Sequence, residues 1–522
     1  MSDAPQSGNL GRVRALPVFP VTADPVRPGV GRSVSAVAHE IDEVGDLNGP
    51  RIALVTLGCD KNTVDSERMM AALVGHGARV TSDVDGADVV IVNTCGFIEA
   101  AKAQSVETIL EACEAKDRGE LKAVVAVGCM VQRYKSDLEN EIPEVDLFMG
   151  LTELQGLVPA LRERGLLPDS QSTASEAAAE EGDGATAAAG DVPLMERPLR
   201  ILTGETPHTS YLKVSEGCDH TCAFCAIPLM RGLHRSAPLE DLVDEAAQLG
   251  RAGVHEINII SQDTTWYGRD LRRHDPASPL LPDLLRALLE GTDVPWYRLF
   301  YMYPSGITPE LIELLAEAAQ RTQGPRILPY LDLPLQHGSD RILAAMRRPE
   351  RRETIRDRVA RLRDAIPGIT LRTTVIVGFP GETDDDFAEL VDLLEEIEFD
   401  RVGAFTYSIE EDTRAATLPG HLPEALKRER LEALMDVQRG ISFERNFAQI
   451  GARYRLLVDR HLEADEADDE FVAVGRTETQ ALDVDGVTHL LGDGGDVPSA
   501  GTFVDVEIVD AMEYDLIARV VT

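Results

Sequence analysis

Six of the seven cysteines in this 522-residue chain fall into two sets of three, a grouping that points to iron–sulfur chemistry. The compact set is Cys218, Cys222 and Cys225, within SEGCDHTCAFCAIP. The dispersed set is Cys59, Cys95 and Cys129, each closing a short apolar run: IALVTLGC, VVIVNTC and AVVAVGC. An iron–sulfur cube is ordinarily held by four thiolates. Three leave one iron able to bind something else, so two such sites suggest an enzyme that works on two clusters. Spacings of three and two residues let a single loop wrap the compact thiolates around one cluster. A zinc knuckle would need a fourth ligand. His220 lies inside the loop, but no second Cys-x-x-Cys follows to complete a finger. Ala223, Phe224, Ala226 and Ile227 are small or apolar, and would keep water from a cluster and so tune its potential. The dispersed cysteines could instead be three small buried hydrophobes. Their equivalent placement in successive units argues against that. Cys113, in EACEAK, matches neither set and reads as packing.

The elements around these residues explain how they meet. Residues 1–50 are rich in Pro, Gly and Val without periodicity and read as a disordered tail. From Arg51 apolar strands alternate with helices: IALVTLG then VDSERMMAALVGHG, DVVIVNT then AKAQSVETILEACEAK, AVVAVG then a third segment. Unbroken Val/Ile/Ala runs between helices predict a parallel sheet covered on both faces. The dispersed cysteines are 36 and 34 residues apart, about one strand–helix unit each. Each therefore lies past the carboxyl end of a strand, where open α/β sheets bind ligands, and the three can converge. Residues 51–165 thus read as an open parallel α/β domain. Residues 166–203 contain DSQSTASEAAAEEGDGATAAAG and read as a low-complexity linker. Residues 204–435 hold six strand candidates: TSYLKVS, EINIIS, WYRLFYMY, YLDLPL, LRTTVIVG and VGAFTYS. They suit a partial (β/α) barrel, with the compact motif in the loop after its first strand. From Asp436 to Thr522 the pattern changes to RYRLLVDR, EFVAVGRT, TFVDVEIVDA and YDLIARVV, predicting a small all-β barrel. The fold class is α/β with this appended barrel.

Charge narrows the partners. The chain carries 90 acidic and 51 basic residues, a formal net charge of −39. This balance argues against a surface built for phosphate backbones and fits a cationic partner better. No apolar stretch approaches the roughly 18 residues of a membrane span. MSDAPQSGNLGRVRALPVFP lacks the layout of a signal peptide. The expectation is a cytoplasmic protein whose thiols stay reduced, without disulfides.

Cys-x-x-x-Cys-x-x-Cys after the first strand of a partial barrel resembles the radical S-adenosylmethionine superfamily. The resemblance implies a 4Fe–4S cluster on Cys218, Cys222 and Cys225 whose free iron chelates the amino and carboxylate groups of S-adenosylmethionine. One electron then cleaves a carbon–sulfur bond to give a 5′-deoxyadenosyl radical. Such a radical reaches C–H bonds that general bases, tuned near neutral pH, cannot. Candidate cofactor contacts are Gln262 and Asp263, in SQDTTWYG at a strand end, and Gly378 and Gly381, in the turn VIVGFPGET. The glycines read equally as an ordinary tight turn. His337, in LDLPLQHGSDRIL, reads first as a structural histidine.

The order of α/β domain, radical barrel and β-barrel of the TRAM type resembles the methylthiotransferases over residues 51–522, linker apart. That resemblance implies a second 4Fe–4S cluster, on Cys59, Cys95 and Cys129, whose open iron carries the sulfur to be inserted. One S-adenosylmethionine methylates that sulfur and a second supplies the radical, with electrons from a low-potential donor. LGCDKNTVDSE, NTCGFIEAAK, VSEGCDHTCAFCAIPLMRG and YLDLPLQHGSDRIL resemble the RimO branch, with Asp60 replacing a usual Pro. Members of that branch modify the β-carbon of an aspartate in the twelfth protein of the small ribosomal subunit. The alternatives are the tRNA adenosine methylthiotransferases and, in a different class, a non-catalytic iron–sulfur redox sensor. A sensor would have no use for a barrel with polar and Gly-rich strand ends. Residues 436–522 hold 19 Asp and Glu against 7 Arg and no Lys. Such a domain repels tRNA phosphates and attracts a basic ribosomal protein. An RNA-binding barrel would show basic residues and exposed aromatics instead.

Overall fold

The computed structural model describes residues 44–45, 48–168, 200–204, 206–320, 324–462, 470–492 and 497–521. Nearly all of the expected tail and most of the expected linker lie outside them. The apolar runs before the dispersed cysteines form strands Arg51–Thr56, Val89–Thr94 and Ala123–Gly128, the centre of a six-stranded sheet. Short strands Arg79–Thr81 and Leu147–Met149 extend it in parallel, and Val44–Gly45 adds an antiparallel edge. These three escape sequence reading because two or three residues are too few to show a pattern. Alternate residues feed two cores: Ile52, Leu54 and Ile91 face one side, Ala53, Val55 and Val92 the other. Helices Asp60–Gly75, Glu99–Asp117 and Cys129–Glu141 follow the three long strands. Burial on both faces is what unbroken apolar strands require.

The second sheet has six parallel strands in chain order: Thr209–Lys213, Glu256–Ile260, Trp296–Leu299, Ile327–Asp332, Thr370–Val377 and Arg401–Thr406. It stays open, with the first and last strands as its edges. Its outward residues, such as Leu212, Ile257, Leu299 and Leu371, pack under the covering helices. Its inward residues include the charged Glu256, Arg298, Asp332 and Arg372, all buried.

Helix Glu424–Phe447 runs straight through Asp436, where the sequence was read as changing to β structure; the first strand of the last domain starts at Arg453. The physical reason lies in the buried face of the helix. Gln438, Ser442 and Asn446 are buried at helical spacing and meet Phe399 O, Arg401 and Arg401 respectively. A polar buried stripe leaves no hydrophobic periodicity to read. Strands Arg453–His461, Phe471–Thr477, Thr488–Leu491, Phe503–Ala511 and Leu516–Val520 then close into a small barrel. Thr488–Leu491 was not anticipated, being four residues beside an acidic Gly-rich stretch.

This small barrel seals the amino ends of the open sheet. Arg476, with no exposed surface, donates to Asp459 Oδ2 (2.8 Å) and Thr209 Oγ1 (3.0 Å) and pairs with Glu256. Arg298 donates to the same Glu256 carboxylate (2.7 Å) and to the Glu478 carbonyl (2.8 Å). Tyr330 OH donates to Asp485 at 2.8 Å. Trp296, Tyr330, Leu457, Ala481 and Phe503 surround these charges with apolar surface. Burial favours the neutral acid at Glu256, but Arg476 and Arg298 outweigh it and hold the carboxyl below its ordinary 4.5. The stabilisation by this carboxylate is therefore complete above about pH 4.5 and is lost as pH falls further. Arg476→Ala would leave Glu256 and Asp459 underpaired and cost about 3–5 kcal/mol, read as a lowered midpoint in denaturant unfolding at pH 7.

Candidate functional site

Both cysteine sets lie at the carboxyl ends of their sheets. The compact loop follows strand Thr209–Lys213 through a short antiparallel pairing of Ser215–Glu216 with Arg235–Ser236. Gly217 has φ +76°, and a Cβ there would stand 2.2 Å from the Leu233 carbonyl oxygen. Only glycine lets the loop fold so closely under its return segment. Backbone bonds fix the loop from three directions: Cys218 N to Gly232 O (3.0 Å), Ala223 N to Met346 O (2.9 Å) and Ala415 N to Ala223 O (2.7 Å). Burial pushes the Cys218 thiol up to about 12, with Cys222 close enough to add to the rise. Burial also raises Cys225, helped by the charges of Cys222 and Cys218. Cys222 Sγ lies 3.6 Å from the Tyr303 hydroxyl and 3.9 Å from Arg348 Nη1.

The dispersed set is drawn together by Asn62, wholly buried in the first turn of helix Asp60–Gly75. Its Nδ2 donates to Leu57 O (2.7 Å) and Thr94 O (3.1 Å), and its Oδ1 lies 3.7 Å from Cys129 Sγ. One side chain thus ties the three strand ends that carry Cys59, Cys95 and Cys129. Gly58 adds close approach: a Cβ there would stand 2.9 Å from Cys95 Sγ. Burial, then the charges of Cys59 and Cys129, push Cys95 up to about 12. Burial lifts Cys129 to about 11 against the opposing charge of Arg231. Asp60 occupies the first helical position after Cys59, where Asp suits a helix N-terminus as well as Pro does.

The two sets meet across a buried network of charges. Arg231, six residues beyond Cys225, donates to Glu216 Oε1 (2.8 Å), Asn62 Oδ1 (2.7 Å) and Asp65 Oδ2 (3.1 Å). Lys213 pairs with Asp65 and with Glu216 (2.7 Å). All five residues are at most 5 % exposed. Although burial alone would raise Glu216, Arg231 and Lys213 hold it far below the carboxylate range. Ala226 and Met230 of the compact loop share an apolar core with Cys129. Lys61 adds a contact at the middle of the open sheet, over the Tyr301 ring at 3.1 Å. At the far edge, Glu410 receives Lys102 (3.3 Å) and Arg133 (3.1 Å). The N-terminal domain therefore spans the mouth of the open sheet from its first strand to the loop after its last.

The other sequence candidates divide. Gln262 donates to Glu216 Oε1 at 3.3 Å, while its own Oε1 is buried without a hydrogen-bond partner, as is Ser215 Oγ. Asp263 is spent on the scaffold: Oδ1 accepts from Thr265 N (2.9 Å) and Oγ1 (2.6 Å), and Oδ2 meets His220 Nε2 at 2.6 Å. These bonds fix it in the scaffold and occupy that nitrogen of His220, which removes it as a fourth metal ligand. Gly378 is glycine because a Cβ would come within 2.4 Å of the Lys427 side chain, and its N–H binds Glu382. Gly381, at φ +80°, bonds to Gly420 O. Phe379 of their turn shares an apolar core with Ala223 of the cysteine loop. His337 is wholly buried between Glu382 Oε2 (3.3 Å) and Ser339 N (2.9 Å), as a structural histidine should be. Cys113 packs in the apolar core.

Among the described residues no His, Cys, Asp and Glu group is gathered tightly enough for a single metal ion. Three corners of a sulfide-bridged cube hold their thiolates farther apart than one tetrahedral ion does, so this does not weigh against a cluster. Sequence reading missed Arg231, Lys213, Asp65, Glu216, Asn62, Tyr303 and Arg348. The available signal was Lys213, a single charge inside the apolar strand YLKVS. Removing one partner from the network leaves an uncompensated buried charge. Arg231→Ala is expected to cost about 3–5 kcal/mol. In a cycle with Asp65→Ala, urea unfolding should give a coupling of about 1–3 kcal/mol instead of additive losses.

Family models match along the chain: Uncharacterized protein family UPF0004 over residues 51–150, the Radical SAM superfamily over 212–394 and the TRAM domain over 450–521. Curated relatives carry one description, Ribosomal protein uS12 methylthiotransferase RimO. The protein of Anaeromyxobacter sp. (strain K) is 42 % identical over 90 % of this chain and 93 % of its own length. That of Clostridioides difficile (strain 630) is 41 % identical over 90 % and 98 %. That of Geobacter sulfurreducens is 39 % identical over 90 % and 99 %. With its two cysteine sets at facing sheet ends, the chain belongs to the RimO family of radical SAM methylthiotransferases.

Proposed function

We propose that this chain transfers a methylthio group to an aspartate of ribosomal protein uS12, using two 4Fe–4S clusters and S-adenosylmethionine. The observation that carries the reading is that the segment just beyond Cys225 reaches the dispersed set, Arg231 through Asn62 and Ala226 and Met230 through the core they share with Cys129. Membership of the radical SAM superfamily implies one 4Fe–4S cluster and S-adenosylmethionine. We assign that cluster to Cys218, Cys222 and Cys225, and a second to Cys59, Cys95 and Cys129. When bound, these groups would supply one-electron cleavage of S-adenosylmethionine and a carrier for the sulfur.

The residues present suit these groups. Gln262 Oε1 and Ser215 Oγ are buried acceptors without partners, beside a strand end that also carries the compact loop. We retain Gln262 as a contact for S-adenosylmethionine. The raised thiols of Cys95, Cys129 and Cys218 are protonated at neutral pH, so ligation must release those protons. Arg231 opposes the rise at both Cys129 and Cys95 and so eases that release in the dispersed set. Met230 and Ala226, each at most 3 % exposed, pack in one apolar core with Cys129 and keep water from that side of the dispersed set.

The partner reading rests on charge and on the relatives. Starting the last domain at Arg453 instead of Asp436 removes two acids and two arginines, so its acidic excess is unchanged. A surface of that sign favours encounter with a basic ribosomal protein and disfavours tRNA. Among the described residues no helix is long and apolar enough to cross a membrane. A cytoplasmic protein fed by a low-potential electron donor fits this reading. Deleting the gene should abolish the methylthio mass increment on uS12 peptides while leaving methylthiolated tRNA nucleosides unchanged. Loss from tRNA alone, with uS12 unaffected, would reject the assignment.

A further inference from the structure

Cys222 differs from its two companions in what surrounds its sulfur. Cys218 and Cys225 receive the backbone N–H groups of His220 and Ile227. Cys222 Sγ is approached by two side chains, the Tyr303 hydroxyl at 3.6 Å and Arg348 Nη1 at 3.9 Å. Both are held firmly. The guanidinium of Arg348 lies 3.6 Å from the Tyr303 ring centroid, and His220 stacks on that ring at 4.0 Å with 9° between planes. Two groups so close to one centroid occupy opposite faces, so the phenol is sandwiched. His220 is in turn anchored by Asp263. Arg348 is 4 % exposed, donates to Pro334 O (2.6 Å) and has Nε 3.2 Å from Glu350, whose other oxygen accepts from Ser305 N. The guanidinium cannot lose its proton, so its charge at this sulfur is permanent.

We propose that Arg348 and Tyr303 are tuning residues that raise the reduction potential of the cluster on the compact cysteines. The proposal rests on the assignment of that cluster under the proposed function. Reduction adds one electron, delivered by a low-potential one-electron donor, and makes the cluster more negative by one charge; no bond need break and no proton need move. A buried cation and a hydroxyl donor directed at one thiolate stabilise the more negative state more than the less negative one. Hydrogen bonds to cluster sulfurs and local net charge are the means by which proteins set such potentials. Glu350 reduces the effect without cancelling it, because it lies on the Nε side of the guanidinium while Nη1 faces the sulfur.

The test is an EPR-monitored redox titration of the full-length, anaerobically reconstituted protein. The compact-site cluster is followed through the signal that changes when S-adenosylmethionine is added. Arg348→Gln and Tyr303→Phe should each lower the midpoint, and Arg348→Lys, which keeps the charge, should recover most of the loss. For Arg348→Gln the ratio of reduced to oxidised cluster at the wild-type midpoint should fall about tenfold, equivalent to about 59 mV for a one-electron couple. A smaller fall in the same direction is expected for Tyr303→Phe, which removes a hydroxyl alone and does not depend on the arginine variant folding. Unchanged midpoints in both variants, with iron content retained, would overturn the tuning role alone. Failure of the wild-type chain to assemble any cluster that responds to S-adenosylmethionine would overturn the cluster assignment itself.

Discussion

The rest of the structure depends on one buried charge cluster: Asp65 and Glu216 against Lys213 and Arg231, with Asn62 completing it. Two acids and two bases leave no net charge to desolvate, and each ion has at least two partners. That matters because burying ions is costly unless every lone pair and proton is used. The cluster joins residues from the first helix of one domain to the first strand and the cysteine loop of the next. It gives little net stability compared with an apolar seam. What it supplies is orientation, since hydrogen-bonded ions accept one arrangement where apolar surfaces slide.

From that anchor the architecture follows. An open parallel sheet leaves the carboxyl and amino ends of its strands uncovered, and here both ends are closed by other parts of the chain. The N-terminal domain spans the carboxyl ends, fixed at one edge by Arg231 and Lys213 and at the other by Glu410. The small barrel seals the amino ends through Arg476 and Asp485. The inward face of the sheet can carry these charges because Arg298 pairs with Glu256 and Arg372 with Asp332, while the small barrel adds Arg476 to Glu256 and Asp485 to Arg372.

Much of this was legible in the sequence, and the failures have physical causes. The dispersed cysteines were visible because each stands at a fixed place in a repeated unit, the compact ones because three lie close together in one loop. All six strands of the open sheet were visible as apolar runs. The helix across Asp436 was not, because Gln438, Ser442 and Asn446 make its buried face polar. Asp263, Gly378 and Gly381, read in the sequence as cofactor contacts, also hold the loops at their strand ends, a role that strand-end position alone does not reveal. Asp263 anchors His220, and Gly378 makes room for Lys427. The charge network was invisible for a different reason. Apart from Lys213 and Glu216, its bonded pairs are 15 to 169 residues apart and only the fold brings them together, as with Asn62 and Arg231.

The central claim is that two clusters stand face to face across Arg231, and EPR of the fully reduced, reconstituted chain tests it most directly. Two paramagnetic clusters that share a buried interface must broaden and relax each other. The account predicts a spin-coupled spectrum that collapses to one uncoupled signal, with iron and sulfide halved, when Cys59, Cys95 and Cys129 are all replaced by Ala. A wild-type spectrum of two independent signals, or an iron content unchanged by that replacement, would contradict it.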